Sequence, residues 1–471
     1  MPENRILFVI CNNQMGYSLW TKRESILSNP EFDKYYDRKF LEDWIEKCGK
    51  ISLEDILYTM GNISGHFLSQ NIETPSKVID VPISIELLEK EIQSFNPTHI
   101  GFSVMLDSYQ TFIDCCHFLR KKHPQIKIIA GNVGALVLET ENYADYVCKG
   151  EGTYFLRQLF GEKMDISLKI PRIIAKRFRP LPYNPKKFAE IPTAILTTDL
   201  GCAMGCDFCI TYALYRRNYK IGNAAEIKKA LLDMGEMINK RDIPVMITDP
   251  TGLTDEKLWE DVIELMKGEN YCFHLNTLTT SALIDRYSKK GGLLDKFKRS
   301  EEFEIVLLEI GLESVAEKYA KNRNANWKEI IKTLNEYGIV SALSMIIGFD
   351  YHTRQTVLQE VKDALAFDST IFYISNLKIL YETKLWYLYK EQGRLLDVPP
   401  EFRMLWGYFA FTHPHFKSGF NDCLPLMLEC EDLINENIGS FYLRSMKIIK
   451  NRKKSEYNDN LLKLDEFIKK D

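Results

Sequence analysis

The chain opens as an alternation of short apolar runs and amphipathic stretches. Residues 6–10, 78–81, 100–105, 126–130 and 146–148 are apolar runs of strand length, and 85–95, 112–121 and 154–160 carry apolar residues at helical spacing between them. A further helical pattern covers 53–68. Apolar strands separated by amphipathic helices predict a doubly wound parallel sheet, because the crossover helices bury both of its faces. Such sheets bind ligands beyond the carboxyl ends of their strands. The turns there fall at 11–16, 103–108, 131–134 and 150–152. Ser103, Gly131, Gly150 and Gly152 stand out in them, since glycine and small polar residues let a ligand approach the backbone. Residues 17–50, rich in charge and aromatics, interrupt the pattern after the first strand as an insertion of unassigned structure.

Between 165 and 191 the period is lost and prolines accumulate (Pro171, Pro180, Pro182, Pro185, with Pro192 just beyond), which predicts a linker. The alternation then resumes. Strands are predicted at 194–198, 245–248, 273–277, 304–310, 340–347 and 370–377, with helices at 224–238, 256–266, 327–337 and 355–367. Six such units fit a partial barrel or an open sheet. From 381 onward the pattern is helical. The expected organisation is an α/β domain over 1–164, a linker over 165–192, a second α/β domain over 193–380 and a helical region over 381–471.

A length of 471 residues suits more than one core. The formal net charge of -4 offers no basic field for nucleic acid. Basic residues cluster at 170–179 and 447–454, where solvated faces explain them. No run approaches the ~20 apolar residues of a membrane span, and 6–10 is too short for a signal-peptide core. The expected location is the cytoplasm. Eleven irregularly spaced cysteines argue against a disulfide framework.

Three of those cysteines form a pattern. Cys202, Cys206 and Cys209 are spaced C-x-x-x-C-x-x-C directly after a predicted strand. Thiolates ligate iron–sulfur clusters, and close spacing lets one loop wrap one cluster. With no obvious fourth ligand, one iron of a four-iron cluster stays open, as in a catalytic rather than a closed structural site. A zinc site or accidental clustering are the alternatives, but zinc usually takes four ligands and the histidines lie far away in sequence.

The triplet, with Phe208 before its last cysteine, resembles the signature of the radical S-adenosylmethionine (SAM) superfamily. The resemblance implies a partial (β/α)6 barrel over 193–380 and a 4Fe–4S cluster whose open iron chelates SAM. It also implies reductive cleavage of SAM to a 5′-deoxyadenosyl radical that takes a hydrogen atom from substrate. Ile310-Gly311-Leu312-Glu313-Ser314 resembles the family's strand end whose polar side chains reach SAM, making Glu313 and Ser314 candidate SAM contacts. A carboxylate beside a helix start is the structural alternative for Glu313. Ile346-Ile347-Gly348-Phe349-Asp350 resembles the glycine motif near adenine, and implicates Gly348. Thr248-Asp249-Pro250-Thr251 stands where the family binds the SAM amino group but lacks the common Gly-Gly-Glu.

The first domain resembles the flavodoxin-like cobalamin-binding domain fused before many radical SAM modules. The matching pieces are Thr98-His99-Ile100-Gly101-Phe102-Ser103, Ile128-Ile129-Ala130-Gly131-Asn132 and Asp145-Tyr146-Val147-Cys148-Lys149-Gly150-Glu151-Gly152. The chain departs from one pattern, since no D-x-H-x-x-G occurs and Asp114 and His117 have the wrong spacing. Many radical SAM relatives also lack that motif and bind cobalamin without a histidine ligand. The alternative is a domain that keeps the fold and has lost the cofactor. The two resemblances together cover 6–380. They imply radical methyl transfer from methylcobalamin to an unactivated carbon, or, in the same architecture, ring formation, rearrangement or oxidation. They also imply a flavodoxin or ferredoxin as electron donor. A noncatalytic protein with a structural metal is a different class, which the intact cysteine loop opposes. Aromatics crowd 381–420 and either line an apolar pocket, which would suit a small-molecule, lipid-like or peptide substrate, or form core. His413-Pro414-His415 reads as a turn.

Overall fold

The computed structural model describes residues 3–11, 62–80, 83–181, 184–215, 217–316, 322, 324–437 and four residues beyond (444, 447, 448 and 452). The insertion at 17–50 and most of the helical pattern at 53–68 lie outside them.

The first sheet holds β1 (Ile6–Cys11), β2 (Ser76–Val78), β3 (His99–Val104), β4 (Lys127–Gly131) and β5 (Tyr146–Val147), in the order β2-β1-β3-β4-β5. Every pair is parallel. That order is the flavodoxin-like one, with its switch point between β1 and β3. The helices are α1 (Ile63–Ser69), α2 (Ile85–Phe95), α3 (Tyr109–Lys122) and α4 (Gly152–Phe160). They cover apolar strands whose Leu7, Val9, Ile100 and Ile128 are fully buried.

The proline-rich stretch is not featureless. β6 (Ile173–Leu181) and β7 (Asn184–Leu196) pair antiparallel within it. Pro180 lies on the edge strand β6, and Pro185 and Pro192 lie on β7 before it pairs with β10 at 194–196, away from the sheet interior where proline is excluded. β7 then begins a run of six parallel strands, continued by β8 (Asp199–Leu200), α5 (Ile210–Tyr215), β9 (Tyr219–Lys220), α6 (Ala224–Ile238), β10 (Asp242–Ile247), α7 (Glu256–Met266) and β11 (Cys272–Thr279). Helices α8 (Ser281–Tyr287) and α9 (Leu293–Arg299) lead to β12 (Phe303–Glu313), α10 (Trp327–Glu336), β13 (Val340–Ile347), α11 (Arg354–Leu365) and β14 (Ile371–Asn376). The order β14-β13-β12-β11-β10-β7-β6 makes a partial (β/α)6 barrel, with β8 and β9 pairing separately.

Local chemistry explains the element ends. Asn223 caps α6 and Glu226 returns the bond to complete a capping box, while Asn239 ends the helix at φ 54°. After β14, helices α12 (Lys384–Glu391) and α13 (Cys423–Asn435) pack on the barrel. Phe409 and Phe411 are fully buried beside Phe416, so much of the aromatic stripe is core.

Candidate active site at the junction of two sheets

β7 ends at Leu196, and the chain passes through Thr197 and Thr198 into the cysteine loop. Gly201 turns it at φ 86°, where a Cβ would meet the Arg217 carbonyl at 2.1 Å, so no larger residue fits. Cys202, Cys206 and Cys209 follow, all partly exposed. Met204 N–H donates to Cys202 Sγ at 3.5 Å, and Thr251 Oγ1 lies 3.5 Å from the same sulfur. Cys209 N–H bonds back to the Cys206 carbonyl at 3.2 Å, folding the loop before α5 begins. The other cysteines described are buried elsewhere, so among the described residues no fourth thiol joins the loop. Three accessible thiols beside N–H and hydroxyl donors suit a cluster with one iron free of protein ligands.

Two contacts hold this loop. Lys384 Nζ donates to the Gly205 carbonyl at 3.0 Å, and Leu385 N–H to that of Asp207 at 3.0 Å. Below it, the buried Asp249 carboxylate accepts N–H groups of Thr198 at 2.7 Å and Asp199 at 3.1 Å. Burial pushes the Asp249 carboxyl up to about 7, against these bonds, and pushes Asp199 up to about 6. The sequence marked Asp249 only by its place after β10; its inward bonds to the strand beside it could not be read there.

The other candidates lie at neighbouring strand ends. Phe208 meets Phe349 edge-on, centroids 6.4 Å apart. Glu313, 7% exposed, takes φ 63° where the β12–β13 register shifts. That left-handed backbone is unusual for a glutamate and points to a constrained strand end. Gly348 has φ 107°, and a Cβ there would meet Phe409 Cε1 at 2.5 Å. Ser314 is engaged in the protein interior: its hydroxyl bonds to Glu360 Oε2 at 2.9 Å and to the Tyr351 hydroxyl. Glu360 also bonds to His352 Nε2 at 3.2 Å, and His352 Nδ1 accepts the Gly348 N–H at 2.9 Å. The Nδ1 acceptor role fixes the tautomer with its proton on Nε2, donated to Glu360. Burial opposes charge on Glu360, but bonds from His352 and Ser314 hold its carboxyl below the usual range. This buried network joins the ends of β12 and β13; the sequence singled out neither His352 nor Glu360.

Ser103, Gly131, Gly150 and Gly152 line one cleft that opens to solvent. Thr197 and Leu200 from the β7 end and Thr248 from the β10 end complete it. The Thr197 and Thr248 hydroxyls are 2.7 Å apart. A Cβ on Gly131 would touch nothing nearer than 3.9 Å, so the glycine leaves space open. Fully buried Asn62 also lines the cleft. Its Oδ1 accepts Gly65 N–H at 2.8 Å, and its buried Nδ2 has no acceptor among the described residues. An orphan amide donor and a glycine-lined wall suit a large ligand rich in acceptors, as a corrin with its amides and nucleotide tail is.

None of the eight histidines lines this cleft. His117 packs on Tyr143 with ring centroids 5.8 Å apart, and His413 bonds to the Phe349 carbonyl at 2.9 Å.

Comparison with known proteins agrees with this layout. The model of the Radical SAM superfamily matches residues 198–364, which include the cysteine loop, and that of the B12 binding domain matches residues 66–160. No curated protein matches. Among solved structures, the chain is similar to the radical S-adenosylmethionine methyltransferase TsrM from Kitasatospora setae with cobalamin and 4Fe–4S cluster bound. The TM-score is 0.58 at 13% identity, over 84% of this chain and 80% of that one. A second structure of that enzyme, with tryptophan substrate and the SAM analogue aza-SAM, gives a TM-score of 0.58 at 12% identity over 84% and 78%. At such identities the likeness is one of fold.

Proposed function

Because the chain belongs to the radical SAM enzymes that carry a B12-binding domain, we propose that it is a cobalamin-dependent methyltransferase acting on an unactivated carbon. Its cofactors are a 4Fe–4S cluster, SAM and cobalamin. When bound, these supply an electron, a hydrogen-abstracting radical and a transferable methyl group.

The protein's own part is to hold and enclose. Cys202, Cys206 and Cys209 present thiolates from one loop, which Lys384 and Asp249 keep in place. Glu313 offers a carboxylate at the β12 end for the cationic or hydroxyl groups of SAM, and Gly348 keeps the β13 end free of a side chain. Phe208 closes one wall against Phe349. Ser314 acts through Glu360 on the shape of the strand end. Ser103, Gly131, Gly150 and Gly152 leave the corrin room beside the first sheet. A reduced flavodoxin or ferredoxin of the cytoplasm supplies electrons, and the substrate is a small molecule, a lipid-like group or a peptide.

The observation that carries this reading is the shared cleft: its glycine-lined wall and the barrel strand ends at Thr197 and Thr248 bound the same space. A methyl group must pass between those two walls. The test is anaerobic reconstitution with cobalamin and methyl-labelled SAM. We expect label on cobalamin with S-adenosylhomocysteine released, and 5′-deoxyadenosine under reduction. Protein that makes 5′-deoxyadenosine but neither binds cobalamin nor labels it belongs to a non-methylating reaction.

A further inference from the structure

At the opposite end of the barrel, three adjacent strands begin with polar residues that meet. The register pairs Asp242 of β10 with Cys272 of β11, and His274 of β11 with Glu304 of β12. Side chains alternate along a strand, so Cys272 and His274 share a face. His274 is buried, with Nε2 2.9 Å from Asp242 Oδ1 and Nδ1 3.0 Å from Glu304 Oε2. The donor atoms of Asp242, Cys272 and His274 all lie within 4.8 Å of one another. The cysteine loop, by contrast, follows the carboxyl end of β7.

We propose that Asp242, Cys272 and His274 form a zinc site, with Glu304 orienting the histidine. A neutral imidazole carries one N–H and can donate to only one carboxylate. Carboxylates at both nitrogens therefore require a cation on the ring, either a second proton or a metal at Nε2. A carboxylate on Nδ1 is the partner by which metal-bound histidines fix their ligating nitrogen. Thiolate, imidazole and carboxylate form a donor set that zinc accepts, and water completes four-coordination.

Charge permits the exchange. Without metal, Asp242 and Glu304 are each negative, the imidazolium is positive and the thiol neutral, so the group sums to minus one. With zinc, the ring is neutral and Cys272 a thiolate; three negative charges and one dication again sum to minus one. One proton leaves Nε2 and one leaves Sγ as the ion enters. No net charge is added to a site where added charge would be costly. The Cys272 thiol already contacts the His274 ring, which puts its sulfur within reach of an ion at Nε2. The ion joins β10 to β11, and Glu304 links β12 to it through His274, at the end of the barrel remote from the cysteine loop.

The test measures zinc and iron in the anaerobically reconstituted enzyme after incubation with zinc and dialysis. About one zinc per chain is expected beside the cluster iron. Cys272→Ser, which preserves size, should weaken zinc binding at least about tenfold and leave iron unchanged. The Cys202→Ala/Cys206→Ala/Cys209→Ala chain should keep its zinc, which separates this site from the loop. Cobalt(II) added to that chain should give a thiolate-to-metal absorption band that Cys272→Ser removes. Enzyme without zinc after this treatment, or zinc that persists in Cys272→Ser, overturns the proposal.

Discussion

The Asp249 carboxylate accepts the Thr198 N–H at 2.7 Å, so the end of β10 is tied to the segment that enters the cysteine loop. The same carboxylate takes the Asp199 N–H at 3.1 Å. Asp249→Asn keeps the volume but replaces one accepting oxygen with a donor, leaving a buried group unmatched. A loss of about 1–3 kcal/mol in stability is expected, together with weaker iron retention. Denaturant unfolding and iron content after gel filtration check this; full iron retention would mean that the loop holds itself.

Replacing Cys202, Cys206 and Cys209 by alanine should abolish iron–sulfur absorbance and reductive SAM cleavage, because no other thiol described lies on the loop. Production of 5′-deoxyadenosine by the triple variant under dithionite would refute the assignment of these ligands.

How legible the fold was depended on how local its signals are. The hydrophobic pattern predicted β13 at 340–347 and α6 at 224–238 with the bounds observed, since a buried strand and a capped amphipathic helix each carry their own signal. The β6–β7 hairpin was hidden by its prolines, Pro180 on the edge strand β6 and Pro185 and Pro192 on the part of β7 before its pairing with β10 at 194–196, which a local reading takes for a linker. At the site, the cysteine spacing was visible because one loop carries it. The bond from Ser314 to Glu360, 46 residues away, was not, because only the packing of β12 against β13 and α11 brings them together. The four cleft residues were legible as strand-end turns, but not the Thr197 and Thr248 wall opposite, which depends on how the two sheets meet.

Glu313 sits at φ 63° with 7% exposure, a costly backbone for a residue with no task. Glu313→Ala should raise the SAM dissociation constant about tenfold, from the loss of one charged contact worth about 1.5 kcal/mol, while iron content stays unchanged. Equilibrium dialysis with SAM tests it. An unchanged constant would leave Glu313 with a structural role alone.

Burial pushes the Asp107 carboxyl up to about 7; Lys378 opposes this and Glu401 adds to it. The folded value lies above the ordinary 3.8, so the folded state binds this proton more tightly than the unfolded chain. Its stabilising contribution is full below about pH 4 and is lost as pH rises through 7. Asp199 and Asp249 are raised too, to about 6 and about 7, and share that window. The informative quantity is therefore a difference: Asp107→Asn should lose less stability than the wild type between pH 5 and 8. Denaturant midpoints across that range provide the check, and parallel curves would mean that Asp107 ionises normally.

All eight histidines can be placed, and none lines the cleft. His66 bonds to Asp80 at 2.6 Å and His123 to Glu89 at 2.8 Å, while His99 meets Phe160 edge-on at 5.0 Å near the opposite end of β3. A histidine ligand would require one of them to leave such partners. Cobalamin bound here should therefore have no protein histidine as a ligand. Electron paramagnetic resonance of the Co(II) form tests this, because an axial nitrogen splits each cobalt line into three. Any splitting is expected to come from the cofactor's own base, and the lines should stay unchanged in His66→Ala, the variant of the histidine on α1, whose Ile63, Gly65 and Phe67 line the cleft. Nitrogen splitting that disappears in such a variant would show that the cleft rearranges around its cofactor to recruit a histidine.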